Sequence, residues 1–145
     1  MSIENYRELV VLQKSMDLVV KVYRFTADFP PTETYGLTSQ MRRAAVSIPS
    51  NTAEGSKRST RKDYRNFLNK AFGSGAELET QLEISQRLDF GTDEKRTELE
   101  GLLAEIMRML NRMHQRLDEP ALPARTSIPG LPTTVTNAYN LPPTT

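Results

Sequence analysis

The sequence has no cysteine, no tryptophan and a single histidine among its 145 residues. Without cysteine there is no disulfide, no zinc–thiolate centre and no thiol nucleophile. One imidazole, His114, leaves almost nothing from which to build a histidine-based acid–base or metal site. Long apolar runs are missing as well. None approaches the roughly 20 residues that a membrane-spanning helix requires, so no membrane association is expected. The opening MSIENYREL is polar and lacks the apolar centre of a secretion signal. Together with the absence of cysteine, this leads to the expectation of a cytoplasmic protein.

Charge is plentiful and unevenly placed. Nineteen Lys and Arg against eighteen Asp and Glu give a net +1. Yet Arg42, Arg43, Lys57, Arg58, Arg61, Lys62, Arg65 and Lys70 fall in one window with only Glu54 and Asp63 opposing them, a local +6. The remainder is therefore slightly acidic. Concentrated positive charge of this kind attracts an anionic polymer even when the overall balance is ordinary.

Apolar residues recur at helical spacing four times before residue 118. Leu9, Leu12, Met16, Val19 and Tyr23 form the apolar seam of a first helix predicted from about Arg7 to Ala27, which Pro30 and Pro31 end. Leu37, Met41, Ala44 and Ile48 define a second. Tyr64, Phe67, Leu68, Ala71, Phe72, Leu78 and Leu82 mark a long third helix, with Leu88 as an extension and a capping pair, Thr60 and Asp63, at its start. Leu99, Leu103, Ile106, Leu110, Met113 and Leu117 step four-three-four-three-four in the fourth, for which Thr92, Asp93 and Glu94 are a good opening. No segment alternates with period two. Short connections near 28–36 and 89–92 favour antiparallel neighbours. The expected fold is all-α, an antiparallel up-and-down four-helix bundle occupying residues 1–118. Phe25, Phe29, Phe90 and Tyr35 fall partly outside the seams, and such surplus apolar residues on bundles accompany self-association.

From residue 119 to 145 the composition changes, with six of the nine prolines, many threonines and Arg125 as the only charge after Glu119. A disordered Pro/Thr-rich tail is expected there, with a proline-rich docking peptide as the alternative.

Pro49 interrupts the second helix. It has no N–H, and its ring clashes with the carbonyl of residue 45, so a kinked helix or a break with a restart is expected. Ser47, Ser50 and Asn51 are placed to satisfy freed backbone groups, and Gly55 suits a left-handed cap.

On a helix beginning near Thr60, Arg61 and Arg65 lie one above the other with Lys62 alongside, and Arg58 joins the stripe if the helix starts earlier. Tyr64, Phe67, Leu68 and Ala71 occupy a neighbouring, core-facing side. Arg42 and Arg43 are adjacent and cannot share a direction, so at least one is expected at the surface and the other near a carboxylate of its own chain or of a neighbouring subunit. Guanidinium groups match phosphate oxygens with paired donors. The candidate nucleic-acid-binding set is thus Arg42, Arg43, Lys57, Arg58, Arg61, Lys62 and Arg65. Such runs are also common as solvated helix faces, and the acidic residues Glu77, Glu79 and Glu83 offer a third arrangement, pairing with the cluster on a neighbouring subunit.

Catalytic signals are absent. Asn111 stands three before His114, so the Glu-x-x-His pair of metal-binding bundles is missing, and no second pair matches Glu79 and Glu83. Gly73-Ser74-Gly75 lacks the ending of a phosphate loop. No metal, cofactor or catalytic residue is expected.

The strings Gln13-Lys14-Ser15-Met16-Asp17-Leu18, Tyr35 to Asn51, Ala53-Glu54-Gly55, Gly73-Ser74 and Ala76 to Leu82 recur in this order in one family. Over about residues 5–117 the chain closely resembles the four-helix bundle proteins encoded in intervening sequences of bacterial 23S ribosomal RNA genes. That resemblance implies a bundle assembling as a ring-like homopentamer. More distantly, the chain is similar to the accessory variability proteins of diversity-generating retroelements, which associate with a reverse transcriptase and bind nucleic acid through a basic pentamer surface. The resemblance therefore implies RNA or DNA as a partner, and a reverse transcriptase or another protein as a further one. It transfers no catalytic residue. The leading expectation is a non-enzymatic, oligomeric nucleic-acid-binding accessory protein. The alternative is an assembly or scaffold bundle whose basic cluster pairs with acidic protein surface.

Overall fold

Four helices make up nearly all of residues 3–118, the part of the chain that the computed structural model describes: α1 (Ile3–Thr26), α2 (Leu37–Ser56), α3 (Arg61–Arg87) and α4 (Asp93–Asp118). A short 3-10 turn, Pro31–Glu33, lies between α1 and α2, and no strand occurs among the described residues. The tail expected over 119–145 lies outside them. Each helix packs on its sequence neighbours and α1 closes against α4. The diagonal pairs make no close backbone approach, although Tyr64 Oη of α3 donates to Glu8 Oε1 of α1 at 2.6 Å. That is the expected antiparallel up-and-down bundle. No helix of the described residues is long and apolar enough to cross a membrane.

The helix starts follow from capping chemistry. Thr60 is extended, and its Oγ1 accepts from the Asp63 N–H at 3.1 Å, as the Thr60–Asp63 pair predicts. Thr92 Oγ1 accepts from Lys95 N–H at 3.3 Å, with Asp93 and Glu94 in the first turn of α4, where their charge complements the dipole.

The fourth-helix seam is as expected, with Leu99, Leu103, Ile106, Leu110 and Met113 buried and Leu117 packed at its edge. In α1 the structure corrects the sequence reading twice. The helix begins a turn earlier, at Ile3, and its buried stripe is Val11, Ser15, Leu18, Val22 and Phe25. Leu9, Met16 and Tyr23, expected in the seam, lie exposed with Val20 on the outer face. The reason is Ser15. A serine interrupts the true apolar series, and it is tolerated because its Oγ donates to the Val11 carbonyl at 2.6 Å, leaving no unpaired polar atom.

Phe25, Phe29 and Phe90 are not stray surface residues. They seal one end of the bundle, Phe25 and Phe29 edge to face at 5.2 Å and Phe29 tilted against Phe90 at 5.5 Å. Tyr35 alone of the four stays outside, almost fully exposed. Beside the aromatic plug, Arg96 is buried. Its Nε donates to Ser85 Oγ at 3.2 Å, and its two terminal nitrogens donate to the Phe90 carbonyl and to Asp93 Oδ1, each at 2.5 Å. Between α3 and α4, Asp89 and Gly91 adopt positive φ, 56° and 76°.

Pro49 lies inside α2, which runs on for about two further turns to Ser56, so the restart alternative does not occur. Asn51 Nδ2 donates to the Ser47 carbonyl and to Ser47 Oγ, and that hydroxyl bonds Ser74 Oγ of α3 at 2.8 Å. Gly55 is not a left-handed cap. It is helical and buried, and a Cβ there would stand 2.7 Å from Phe67 Cβ and 3.1 Å from Tyr64 Cδ1. Glycine at this position lets α2 and α3 approach closely above the basic turn.

This separates the helical glycines into two kinds. Gly73 and Gly101 have open space where a Cβ would go. Gly73→Ala and Gly101→Ala are each expected to stabilise by about 0.5–1 kcal/mol, the helix-propensity gain, in urea unfolding. Gly55→Ala forces Cβ against Cβ, which no rotamer change relieves, and should destabilise instead. A gain at all three positions would refute the packing role of Gly55.

Candidate nucleic-acid interface

Antiparallel order brings the start of α1, the end of α2, the start of α3 and the end of α4 to one pole of the bundle. Most of the basic cluster lands there. Lys57 closes α2, and Arg61 and Lys62 open α3. Lys57 and Lys62 are exposed, and neither side chain makes a hydrogen bond or ion pair among the described residues. Arg58 pairs with Glu54 at 2.6 Å while its guanidinium lies 4.5 Å over the Phe67 ring, which Lys70 also approaches at 4.5 Å. Arg61 donates to the Arg116 carbonyl at 2.6 Å in the last turn of α4, where a cation suits the helix dipole. Arg65, half-buried, pairs with Asp118. Arg61 and Arg65 therefore share a direction, as the spacing predicts, and that direction is toward the end of α4.

Arg61 and Lys62 sit in the first turn of α3, where cations oppose the helix dipole, at a cost of about 0.3–1 kcal/mol each when exposed. A bound anion reverses that sign, because helix N–H groups and side-chain cations then act together.

Arg42 and Arg43 are elsewhere. Lys57 lies fourteen positions after Arg43, about 20 Å of α-helix at 1.5 Å per residue. Arg42 docks on α1: its Nε donates to Thr26 Oγ1 at 2.9 Å, a terminal nitrogen reaches the Tyr23 carbonyl at 3.4 Å, and the guanidinium lies 4.5 Å from the Tyr23 ring. Within its own chain a hydroxyl, a carbonyl and a ring thus stand where an intramolecular carboxylate is one of the two expectations. Arg43 is exposed and lines an open groove of about 590 Å³ between α1 and α2. The seven candidate residues form two sites rather than one patch.

Folding also sorts charge that the sequence leaves scattered. Residues 3–13, 51–66 and 109–118, at the first pole, carry eight cations and five carboxylates, whereas residues 21–43 and 77–100, at the other, carry seven and ten. Arg7, Arg112 and Arg116 join the first pole only through tertiary structure, and the antiparallel order of the helices is the signal that would have placed them there. Glu77, Glu79 and Glu83 are exposed on α3. Glu77 accepts from Gln81 at 3.2 Å, Glu83 pairs with Arg87 at 3.3 Å, and Glu79 has no partner among the described residues. None of the three reaches the basic cluster within its own chain. Among the described residues no three His, Asp or Glu side chains are grouped to hold a metal ion. His114 is half-buried near the end of α4, and its enclosed Nε2 has no hydrogen-bond partner among the described residues.

The sequence profile of the 23S rRNA-intervening sequence protein family matches residues 7–112. The chain belongs to that family. The fold also matches the crystal structure of a protein of unknown function from the S23 ribosomal protein family of Bacteroides thetaiotaomicron. The two are 26% identical, the match covers 75% of this chain and 98% of the other, and the TM-score is 0.67. No curated protein matches the chain. The matched span holds all seven candidate cations and ends just short of the last turns of α4.

Proposed function

We propose that this member of the 23S rRNA-intervening sequence family is a non-enzymatic, cytoplasmic accessory protein that binds the phosphate backbone of RNA or DNA through its basic pole. It acts as a homo-oligomer, with the pentamer that the resemblance implies as the leading form. The observation that carries this reading is the pair of uncommitted lysines, Lys57 and Lys62, flanking the α2–α3 turn beside Arg58 and Arg61. Repetition of the pole around an oligomer would convert weak phosphate contacts into avidity.

The test is anisotropy binding to a short RNA hairpin and a DNA duplex across a salt series, on protein whose mass is fixed by light scattering. Arg61 and Arg65 hold the end of α4, so their reversal would mix folding with binding. Lys57 and Lys62 have no such role. The double variant Lys57→Glu/Lys62→Glu should bind about 10–100-fold more weakly near 0.1 M salt, and its salt slope should be shallower by about two. Unchanged affinity in that variant would overturn the assignment of the pole.

The scaffold reading retains one specific support. Glu77, Glu79 and Glu83 are exposed near the acidic pole, complementary to the basic turn of another copy or partner. It predicts no nucleic-acid binding even at low salt, together with an oligomer that dissociates as salt rises.

A further inference from the structure

The groove between the last turns of α1 and the first half of α2 sets accessible aromatic rings beside an uncommitted cation. Tyr23, Thr34, Tyr35, Ser39, Arg42 and Arg43 line it. Tyr35 is 95% exposed, so it contributes nothing to the core. The backbone that follows it is nonetheless held. The following Gly36 N–H donates to the Glu33 carbonyl, and the Leu37 N–H donates to Glu33 Oε2, both at 3.0 Å. Tyr23 is 43% exposed, with the Arg42 guanidinium stacked over its ring and tied down by Thr26. The Arg43 side chain makes no hydrogen bond or ion pair among the described residues. The nearest carboxylate in sequence, Glu33, is engaged by the start of α2, about 9 Å of helix before Arg43. The groove therefore offers one exposed ring, one ring–guanidinium platform and one uncommitted cation, within a volume typical of small-ligand sites of roughly 300–1,000 Å³.

We propose that this groove takes one unpaired nucleotide of a single-stranded nucleic acid, with its base stacked on Tyr35 and the Tyr23–Arg42 platform and its phosphate on Arg43. Bases splayed out of a strand are recognised by stacking on aromatic rings and guanidinium planes, and every base has a face to offer. The proposal rests on the nucleic-acid reading and deepens it. The lysine-rich pole grips backbone, the groove about 20 Å along α2 takes an exposed base, and the preferred ligand is a duplex end with a single-stranded overhang.

The experiment compares a blunt hairpin, the same hairpin with a six-nucleotide overhang, the same overhang made abasic, and the free six-nucleotide strand. Each is made as RNA and as DNA. They are measured against the wild-type chain, Tyr35→Ala and Tyr35→Phe, with mass followed by light scattering. The overhang should tighten wild-type binding about tenfold, the size of one base–aromatic stack. Tyr35→Ala and the abasic overhang should each remove that gain, Tyr35→Phe should keep it, and blunt-hairpin affinity and mass should not move. An equal gain in Tyr35→Ala, an abasic overhang that works as well, or no gain at all would overturn the proposal. So would a fall in mass for Tyr35→Ala, which would make the groove a contact between copies. Failure of all four nucleic acids to bind would refute both readings. Binding of the free strand alone, lost in Tyr35→Ala, would keep the groove and refute the basic pole.

Discussion

Arg96→Met is expected to lower stability by about 3 kcal/mol, with a fall in Tm of roughly 10 °C, although methionine fills much of the same volume. The buried guanidinium bonds Ser85 Oγ, the Phe90 carbonyl and Asp93 at once and lies 5.5 Å from the Phe25 ring. It thereby ties α3, the α3–α4 turn, α4 and the aromatic plug together. Methionine removes the donors and leaves the Phe90 carbonyl without the bond that Arg96 supplies, and an unmet buried acceptor costs about 1–3 kcal/mol. Asp93 contributes little of this, since its side chain is 95% exposed and its pairing is screened. Asp93→Asn should therefore cost under about 1 kcal/mol, and Arg96→Lys, which keeps the charge and loses the fork, should fall between. Thermal unfolding followed at 222 nm decides it. An Arg96→Met protein as stable as the parent would show that the turn is held by the phenylalanines alone.

Gly91→Val is expected to be at least as damaging, on the order of 4 kcal/mol, and the same assay reads it. Two effects add. At φ 76° a β-branched side chain is strained, and the first carbon of any side chain would stand 2.3 Å from Phe25 Cε1. Phe25 cannot swing aside, because Phe29 packs on its edge and Arg96 covers its face. The ring and the end of the core must move together. A cost below about 1 kcal/mol would mean that the plug is looser than its packing implies.

What the sequence discloses depends on whether a residue's role is periodic. The α4 seam is readable because no polar residue interrupts Leu99 through Met113. The α1 seam is not, because Ser15 stands in the middle of it while a second apolar stripe, Leu9 to Tyr23, runs alongside on the outer face. Arg96 has a detectable signal in its position. It lies three residues before Leu99, on the seam itself, where a charged side chain demands partners. Gly55 reads as a helix stop by residue type, and only the position of Phe67 on another helix gives its actual reason. The candidate site is half legible. Proximity in sequence correctly gathers Lys57 to Arg65, whose turn is local. It wrongly joins Arg42 and Arg43 to them, because a helix between carries the groups about 20 Å apart. Tyr35 falls outside the seams by its spacing, and of the four aromatics so placed it alone stays at the surface.

The unequal poles have a geometric consequence. Antiparallel helices largely cancel their own dipoles, so the lengthwise polarity of this bundle comes from side chains. Copies paired antiparallel, about a two-fold axis perpendicular to the helices, would annul it. Copies arranged about a rotation axis parallel to the helices cannot, since rotation preserves direction. Any such ring is two-faced, cationic on one side and anionic on the other. A polyanion would be drawn to a single side of it, and a second ring would stack beneath without competing for that side.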